Sequence, residues 1–340
     1  MSEKAAVEKI LIVGPAWIGD MVMAQSLFIT LKKRFPDSII DVVAPAWSIP
    51  VLSRMHEVNS GITLAVAHNK LSLPTRFKTG VELRNNKYTR SIIIPRSFKS
   101  AIVPFVAKIP FRTGYRGEMR YGLLNDIRKL DKSILTQTVQ RQVALGLPSN
   151  AELPPEVPYP SLEGSKQNQQ TLISSLKLNV DKPVIGIIPG AEYGPAKQWP
   201  VSLFRQLANK LVDAGHHVWV FGSSKDKKLA NVIAQDNKYI RNLCGETSLV
   251  DVVDLIDLCQ SIITNDSGLM HIAAATGKQV VAIYGSSSPS YTPPLTNRAK
   301  ILYKGLECSP CFKRKCPYGH TDCLNSISVE DVLEKIHSDE

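Results

Sequence analysis

The chain has 340 residues and is 44% hydrophobic, which is enough apolar material for two domains with full cores and excludes an intrinsically disordered protein. No apolar run reaches the roughly 18 residues that a transmembrane helix needs, and no signal-peptide core follows the N-terminal stretch Met1–Lys4, so we expect a cytoplasmic protein. The net charge is +11 but uneven, because residues 1–160 carry 22 Lys and Arg against 12 Asp and Glu, while residues 161–340 carry 19 against 18.

The first half of the chain alternates short apolar runs with amphipathic stretches, which predicts a parallel sheet covered by helices on both faces. Buried strands are predicted at residues 10–13, 39–43, 62–66 and 92–94. Helices are predicted at residues 21–34 and 97–107. A polar, Pro-rich segment from Pro148 to Gln170 then interrupts the pattern and is typical of an interdomain linker.

The second half repeats this alternation. Strands are predicted at residues 184–188, 217–221, 261–264 and 280–283, and helices at residues 202–214, 225–235, 249–259 and 328–337, the last with Ser328 as its N-cap. The chain is therefore expected to be an α/β protein with two Rossmann-like domains whose parallel sheets face a central cleft. We place the domains at residues 1–155 and 156–325, followed by a C-terminal helix within residues 326–340.

A short turn from Gly14 to Asp20 joins the first predicted strand to the first predicted helix. Its two glycines have the spacing of a P-loop, but Asp20 stands where the phosphate-binding Lys of that motif would be. A carboxylate repels a triphosphate, yet at a helix N-terminus it is stabilised as an anion and can act as a general base. The alternative is that Asp20 only caps a helix that begins at Met21.

The most informative segment runs from Asn265 to Ala275, where a short apolar strand ends in a polar turn and enters an Ala-rich helix. The N–H groups and the positive end of such a helix suit a phosphate. Lys197, in the glycine-containing loop after another strand, is placed to meet the same anion, although a loop Lys is often only solvated. For His271, packing against the sheet and contact with a ligand are both open. Further strand-end turns at residues 221–226 and 242–248 complete the pattern of a nucleotide crevice.

A cluster of four cysteines lies in a loop near the C-terminus, with the spacing Cys308-x2-Cys311-x4-Cys316-x6-Cys323. Thiols this dense in a cytosolic chain predict a metal site, and four thiolates favour tetrahedral Zn²⁺ in a structural role. Reducible disulfides and a loop without metal are the alternatives, because the spacing is not that of a standard zinc ribbon.

Several of these segments together resemble glycosyltransferase family 9, a family of heptosyltransferases. The resemblance runs from Ile10 to about Pro294 and is densest in the segments Gly14–Met21, Val43–Trp47, Ser97–Ala101, Arg112–Asp126, Pro189–Glu192, Gly194–Lys197 and Asn265–Ala275. It implies a GT-B fold with the sugar-nucleotide donor on the C-terminal domain. It also implies an inverting transfer of L-glycero-D-manno-heptose from ADP-heptose to the first heptose of the lipopolysaccharide inner core in a Gram-negative bacterium.

The resemblance further implies roles for individual residues. Asp20 would deprotonate the acceptor hydroxyl, Lys197 would hold the diphosphate and offset charge on the leaving group, and Asp266 would bind hydroxyls of the donor sugar. Further donor contacts are implied at Ser267, Gly268, His271, Glu192, Glu246, Thr247 and Ser248. No metal or other cofactor is required for catalysis in this scheme, because Lys197 and the helix N-terminus do the work of a cation.

The basic first half predicts a polyanionic partner, which could be nucleic acid, anionic lipid or a phosphorylated glycan, with a solubilising surface as the alternative. With the resemblance, the implied partner is heptosylated Kdo2-lipid A, reached by a peripheral enzyme at the cytoplasmic face of the inner membrane. The residues assigned to the acceptor are Lys99, Arg112, Arg116, Arg120 and Tyr115.

Three other functions stay open at this point. A family member with a different acceptor would share every donor motif. A non-transferring epimerase on the same fold would convert an ADP-sugar without an acceptor. A nucleic-acid-binding protein built on the basic half and the cysteine cluster would bind in a strongly salt-dependent manner, but it leaves Asp20, Lys197 and Asp266 unexplained.

Overall fold

The computed structural model describes residues 7–66 and 70–337. The chain forms two compact units, residues 1–160 and 161–340, and the boundary falls inside the Pro-rich segment. Across the described residues, no helix combines the length and the apolar character needed to cross a bilayer. The prediction of no signal peptide is based on the stretch Met1–Lys4, which lies outside the described residues.

The first unit is built on a sheet of six parallel strands. In chain order the strands are β1 (Lys9–Val13), β2 (Ile39–Pro45), β3 (Ser60–Leu64), β4 (Arg90–Ile93), β5 (Phe111–Tyr115) and β6 (Asp126–Arg128). The helices are α1 (Ile18–Arg34), α2 (Leu73–Glu82), α3 (Ile102–Val106) and α4 (Thr138–Gly146). The strands lie in the order β3-β2-β1-β4-β5-β6, so the direction of winding reverses between β1 and β4.

Close packing of α1 on α4 positions the turn after β1. A Cβ at Gly146 would lie 2.5 Å from Cδ1 of Leu27, so a larger residue at this position would force that side chain to shift. One turn earlier on α4, Nε2 of Gln142 donates to the backbone carbonyl of Asp20 over 3.1 Å. The first turn of α1 is therefore held by a hydrogen bond from α4.

The second unit is also built on a sheet of six parallel strands. The strands are β7 (Val184–Ile188), β8 (His217–Val220), β9 (Ile240–Asn242), β10 (Ser261–Asn265), β11 (Gln279–Tyr284) and β12 (Ala299–Tyr303). The helices are α5 (Lys166–Ser175), α6 (Val201–Asp213), α7 (Lys227–Ala234), α8 (Leu249–Ile256), α9 (Gly268–Ala275), α10 (Asp322–Asn325) and α11 (Val329–His337). The strand order is β12-β11-β10-β7-β8-β9, and winding reverses between β7 and β10.

Each sheet thus has the strand order of a Rossmann fold, as predicted. Ligands of such sheets bind outside the carboxyl ends of the two central strands, where the winding reverses. The topology therefore directs attention to the segments after β1 and β4 in the first unit and after β7 and β10 in the second.

All predicted strands are present within two residues of their predicted bounds, but some element bounds correct the prediction. Helix α1 begins at Ile18 rather than at Met21, and α5 begins at Lys166, inside the segment predicted as linker. Several elements have no counterpart in the prediction, namely β5, β6, β9, β12, α2, α4, α5 and α10.

The C-terminal helix α11 is capped as predicted, since Oγ of Ser328 accepts the backbone N–H of Asp331 at 3.0 Å. Val329 and Val332 at its start belong to the hydrophobic core of the second unit. The helix therefore completes that unit instead of standing beside it as a separate segment.

Candidate active site

Two charged side chains meet where the winding of the second sheet reverses. Lys197 lies in the loop after β7, and Asp266 follows β10 directly. The Nζ of Lys197 donates to Oδ2 of Asp266 over 2.5 Å, and the aspartate is buried while the lysine is mostly so. The structure thus brings together two predicted donor residues as an ion pair at the position where sheets of this order bind ligands.

Asn265, the last residue of β10, fixes the geometry of this pair. Its Oδ1 accepts the backbone N–H of Trp199 at 3.0 Å, and its Nδ2 donates to the carbonyl of Pro189 at 2.7 Å. Both partners lie in the loop that carries Lys197, so one buried amide holds that loop against the end of β10. Asn265 has no role in the sequence prediction, although a buried amide at a strand end needs partners and could have been recognised on that ground.

Ser267 and Gly268 begin helix α9 beside the ion pair. Ser267 is the N-cap, and its Oγ accepts the backbone N–H of Met270 at 3.3 Å. In any α-helix the first N–H groups lack partners within the helix, and the helix dipole adds positive potential there. Together with Lys197 this helix start can bind a phosphate.

His271, one turn into α9, is held neutral by burial. Burial is the largest cause that lowers its pKa from 6.5 to about 4, with Asp266 opposing the shift and Lys197 adding to it. Its Nδ1 is buried and has no hydrogen-bond partner among residues 7–66 and 70–337. A neutral imidazole with an unpaired nitrogen suits a hydrogen bond to a ligand, so the ligand-contact interpretation stands as a prediction.

Two buried serines after β11 are site candidates that the sequence prediction missed. The side-chain oxygens of Ser286 and Ser287 are buried, and neither has a hydrogen-bond partner within the described part of the chain. The backbone N–H of Ser286 donates to the carbonyl of Ala196 at 3.3 Å, next to Lys197. An unpaired buried hydroxyl costs about 1–3 kcal/mol, so both oxygens are candidates for bonds to a ligand. The run of serines directly after a buried strand is the sequence feature that could have identified these two residues as site candidates.

Two predicted donor residues, Glu192 and Glu246, lie in loops after β7 and β9 but form ion pairs within the protein. Oε1 of Glu192 accepts from Nζ of Lys225 at 2.6 Å, and Oε2 of Glu246 accepts from Arg241 at 2.7 Å. The hydrogen bond with Glu192 raises the pKa of Lys225. A nucleoside would have to compete with Lys225 and Arg241 for these carboxylates, and the donor contacts of Glu192 and Glu246 stay predictions.

Thr247 and Ser248 differ from each other in how their hydroxyls are used. Ser248 is the N-cap of α8, and its Oγ donates to Oδ2 of Asp251 at 2.7 Å in a capping box. The Oγ1 of Thr247 is buried without a hydrogen-bond partner in the described ranges. Of the two, only Thr247 has an unsatisfied group that a ligand would satisfy.

The cysteine-containing loop packs against residues 193–197. The carbonyl of Arg314 accepts the backbone N–H of Ala196 at 3.1 Å. Gly194 has a φ of 152°, and a Cβ there would lie 2.5 Å from the same carbonyl oxygen, so the contact requires glycine. The loop between the cysteines therefore supports the turn that carries the lysine of the ion pair.

The four cysteines do not form an assembled metal site. Cys323 is buried in α10, and burial, followed by the charges of Cys308, Cys311 and Cys316, raises its pKa. Backbone N–H groups, first that of Thr321, lower the pKa of Cys316. The thiols influence one another, yet among the described residues no three Cys, His, Asp or Glu side chains are placed to hold a metal ion. The structure therefore does not show the structural zinc site predicted from the four cysteines, and that site stays a prediction.

In the first unit, the reversal between β1 and β4 places Asp20 and residues 94–99 at one edge of the sheet. Asp20 lies in the first turn of α1, whose N-cap is Trp17. The helix begins before Met21, so Asp20 is not its cap, and the capping alternative is wrong. A partly buried carboxylate at the positive end of a helix suits a general base.

Arg120 corrects the prediction of an acceptor contact. Its side chain is 1% exposed, and burial lowers its pKa to about 10. Nη1 donates to the carbonyl of Pro95 at 2.7 Å, and Nη2 donates to the carbonyl of Tyr115 at 2.5 Å. The guanidinium therefore holds the loop after β4 against the loop after β5, and it cannot meet an acceptor that arrives from solvent.

Tyr115 and Arg112 have structural partners as well. Tyr115 is buried, its hydroxyl donates to the carbonyl of Arg141 at 2.8 Å, and burial raises its pKa to about 12. Nε of Arg112 donates to the carbonyl of Leu123 at 2.7 Å, and Nη1 donates to that of Ile109 at 2.5 Å. The prediction for Tyr115 is corrected, because its buried hydroxyl bonds a carbonyl on α4. Arg112 is partly exposed and is anchored by carbonyls of nearby residues, and its acceptor contact stays a prediction.

Lys99 and Arg116 remain as candidates for an anionic acceptor. Arg116 is exposed, and Lys99 is partly exposed with its Nζ 3.4 Å from the carbonyl of Lys70. They follow β4 and β5, so they lie at the same sheet edge as Asp20. Two cations and a carboxylate thus share the ligand-binding edge of the first unit.

Known proteins are similar to the chain over nearly its full length. The family model described as glycosyltransferase family 9 (heptosyltransferase) matches residues 76–322. Lipopolysaccharide heptosyltransferase 2 of Salmonella typhimurium and its namesake from Escherichia coli K12 are each 45% identical over 340 residues, covering 97% of this chain and 98% of the relative. The solved structure of E. coli ADP-heptose LPS heptosyltransferase II matches with a TM-score of 0.87 and 43% identity, over 97% of this chain and 98% of that one.

These matches confirm the predicted family and the predicted GT-B fold class. They also disfavour the nucleic-acid-binding alternative, because the relatives that match 97% of the chain are sugar transferases by name. The chain belongs to glycosyltransferase family 9, the heptosyltransferase family.

Proposed function

We propose that the chain transfers L-glycero-D-manno-heptose from ADP-heptose to the first heptose of the lipopolysaccharide inner core. The observation that carries the proposal is the Lys197–Asp266 pair beside the N-terminus of α9. It supplies a cation, a carboxylate and helix N–H groups at one sheet edge, which are the groups that a sugar diphosphate needs. Relatives named lipopolysaccharide heptosyltransferase 2 support the choice of sugar and acceptor.

In the proposed donor complex the ion pair exchanges partners. Nζ of Lys197 turns to the diphosphate, and the carboxylate of Asp266 accepts hydrogen bonds from heptose hydroxyls. The N–H groups that start with Gly268 add donors to the phosphate, and neutral His271 adds one hydrogen bond. Each charge that loses its protein partner gains a ligand partner, so donor binding leaves no buried charge unpaired.

The proposed reaction is a single displacement with inversion. The carboxylate of Asp20 takes the proton of the acceptor hydroxyl, whose oxygen bonds to the anomeric carbon as the bond from that carbon to ADP breaks. The electron pair of the broken bond stays on the diphosphate, where Lys197 and the start of α9 stabilise it. One such electrostatic donor is worth about 10²–10³-fold in rate, and a positioned general base is worth about 10²–10⁴-fold.

The basic first unit is proposed to bind the acceptor at the membrane. Lys99 and Arg116 would bind phosphate or carboxylate groups of the lipopolysaccharide core. Residues 1–160 carry ten more basic than acidic residues, by the count of 22 against 12. Such a domain is attracted to the anionic inner leaflet, so we propose a peripheral protein on the cytoplasmic face of the inner membrane.

Heptose transfer from ADP-heptose by the purified protein tests the proposal. Kdo2-lipid A and its mono-heptosylated form are offered in parallel, with Asp20→Ala as the inactive variant and the exposed carboxylate variant Asp37→Ala as its matched control. Transfer to the mono-heptosylated acceptor alone, lost only in Asp20→Ala, is expected. Transfer to the heptose-free acceptor would indicate heptosyltransferase I, and conversion of ADP-heptose without any acceptor would indicate an epimerase.

A zinc ion at the four thiols has no catalytic part in this proposal. Binding would require Cys323 and the three partly exposed thiols to move closer together than they lie here. Metal analysis of the purified protein tests it. Stoichiometric zinc that is lost in Cys308→Ser/Cys311→Ser would support a structural role, and metal-free active enzyme would exclude it.

A further inference from the structure

Helix α2 turns a charged side chain inward and an aromatic one outward. Arg76 is 5% exposed, and its Nε donates to the carbonyl of Leu71 at 2.7 Å. The next residue, Phe77, is 57% exposed. Surface helices ordinarily bury their apolar face and leave charge in water, so Arg76 and Phe77 have the reverse of the usual arrangement.

The exposed apolar residues of α2 form one continuous stripe. Leu73, Phe77 and Val81 follow one another at the spacing of four residues that places side chains on one face of a helix, and they are 48%, 57% and 39% exposed. On its other side α2 packs closely on α3, since a Cβ at Gly80 would lie 2.7 Å from the side chain of Val106. Rotation of α2 to bury the stripe would break this close contact, so the fold maintains the exposure.

The stripe lies in a strongly basic part of the chain. Residues 70–112 contain ten Lys and Arg and a single acidic residue, Glu82. That carboxylate is 4.0 Å from the ammonium group of Lys78 on the same helix. An exposed apolar stripe in a segment with an excess of Lys and Arg is the combination that binds the interface of an anionic bilayer.

We propose that α2 is the element that embeds the enzyme in an anionic lipid surface, with Leu73, Phe77 and Val81 entering the boundary between headgroups and acyl chains. A second copy of the chain is disfavoured as the occupant, because it would bring the same positive charge to the stripe. The inference rests on the proposed function to the extent that a lipid-borne acceptor gives the enzyme a reason to bind a membrane. It goes further by assigning the binding to one helix.

Vesicle flotation of the full chain tests this assignment. The triple variant Leu73→Gln/Phe77→Gln/Val81→Gln is compared with a control, Val232→Gln/Ile301→Gln, which removes two apolar residues of similar exposure from the second unit. On phosphatidylglycerol/phosphatidylethanolamine vesicles, the triple variant is expected to bind about tenfold or more weakly than wild type, and the control is expected to bind like wild type. All three proteins should bind phosphatidylcholine vesicles poorly.

Two further measurements separate this inference from the proposed function. Transfer to a deacylated, water-soluble heptosyl acceptor should be the same in wild type and triple variant, because the stripe is proposed to contact lipid and has no proposed part in binding the donor or the reacting sugar. Failure of wild type on that acceptor would count against the proposed function alone. Equal vesicle binding by wild type and triple variant would overturn the inference, as would a dimer in sedimentation analysis that the triple variant converts to monomer.

Discussion

Lys197 and Asp266 form an ion pair over 2.5 Å at the carboxyl ends of two neighbouring strands. Because each neutralises the other, neither charge is left unpaired in a poorly solvated site before a ligand arrives. In the proposed complex the diphosphate replaces Asp266 as the partner of Lys197, while sugar hydroxyls replace the lysine. The pair is therefore a stabilising contact with a proposed second role in donor binding, and substitutions should separate these two contributions.

Lys197→Met is expected to lower kcat/KM for ADP-heptose about 10²–10³-fold and to destabilise the protein by about 3 kcal/mol, because Asp266 stays buried without its cation. The double variant Lys197→Met/Asp266→Asn should recover stability without recovering activity. Steady-state kinetics and urea unfolding measure the two effects. The matched control is Lys182→Met, an exposed lysine just before β7, and a Lys197 variant with unchanged kcat/KM would contradict the proposed role.

Acidification should destabilise the protein partly through His271. Burial lowers its folded-state pKa to about 4, whereas the unfolded chain takes up the proton near pH 6.5. The stabilisation by neutral His271 is complete above pH 6.5 and is lost as the pH falls from 6.5 toward 4. The loss in unfolding free energy amounts to about 2 kcal/mol at pH 5. Urea unfolding at pH 7.5 and pH 5 should show a smaller loss for His271→Gln than for wild type, and equal losses would disprove a buried neutral imidazole.

Arg120 and Arg116 should behave differently although both are basic residues of the same segment. Arg120→Ala removes hydrogen bonds to two loops and is expected to cost about 2–4 kcal/mol of unfolding free energy. Arg116→Ala should leave stability unchanged and raise KM for the acceptor, with KM for ADP-heptose unaltered. Thermal unfolding and two-substrate kinetics distinguish them. Equal destabilisation by both variants would contradict the separation into a structural and a binding arginine.

Ser286→Ala should have opposite effects on the unliganded and the ADP-bound protein. Removing a buried hydroxyl that lacks a partner in the described part of the chain is expected to stabilise the unliganded protein by about 1 kcal/mol. If the hydroxyl bonds the donor, the same variant should bind ADP about five- to tenfold more weakly. Calorimetric titration with ADP and urea unfolding test both signs, with exposed Ser290→Ala as the control. Tighter ADP binding would show that the hydroxyl does not face the donor.

Much of this site follows from strand ends that can be identified in the sequence. Lys197 and Asp266 follow continuous apolar runs, and parallel strands bring their carboxyl ends to one edge. The prediction worked there because a strand that is buried on both faces has a clear apolar signature. Strand β6, with three half-exposed residues, has none, and the sequence prediction missed it.

Side-chain direction could not be read from composition alone. Arg120 and Arg116 belong to the same basic segment, yet one is buried against backbone carbonyls and the other faces solvent. The difference depends on how the loops after β4 and β5 fold together, which is a tertiary property. For the same reason the sequence did not show that Arg76 turns inward while Phe77 turns outward.

The hydrogen bond from the Ala196 N–H to the Arg314 carbonyl joins residues that are far apart in the chain. During synthesis the segment around Lys197 leaves the ribosome long before Arg314 does, at roughly 5–20 residues per second. The turn that carries the lysine therefore gains its final support only when the cysteine-containing loop has emerged. A nascent or truncated chain that stops before this loop can pair its strands, but it lacks a finished binding edge, so the capacity to hold a donor arises late in the life of each new molecule.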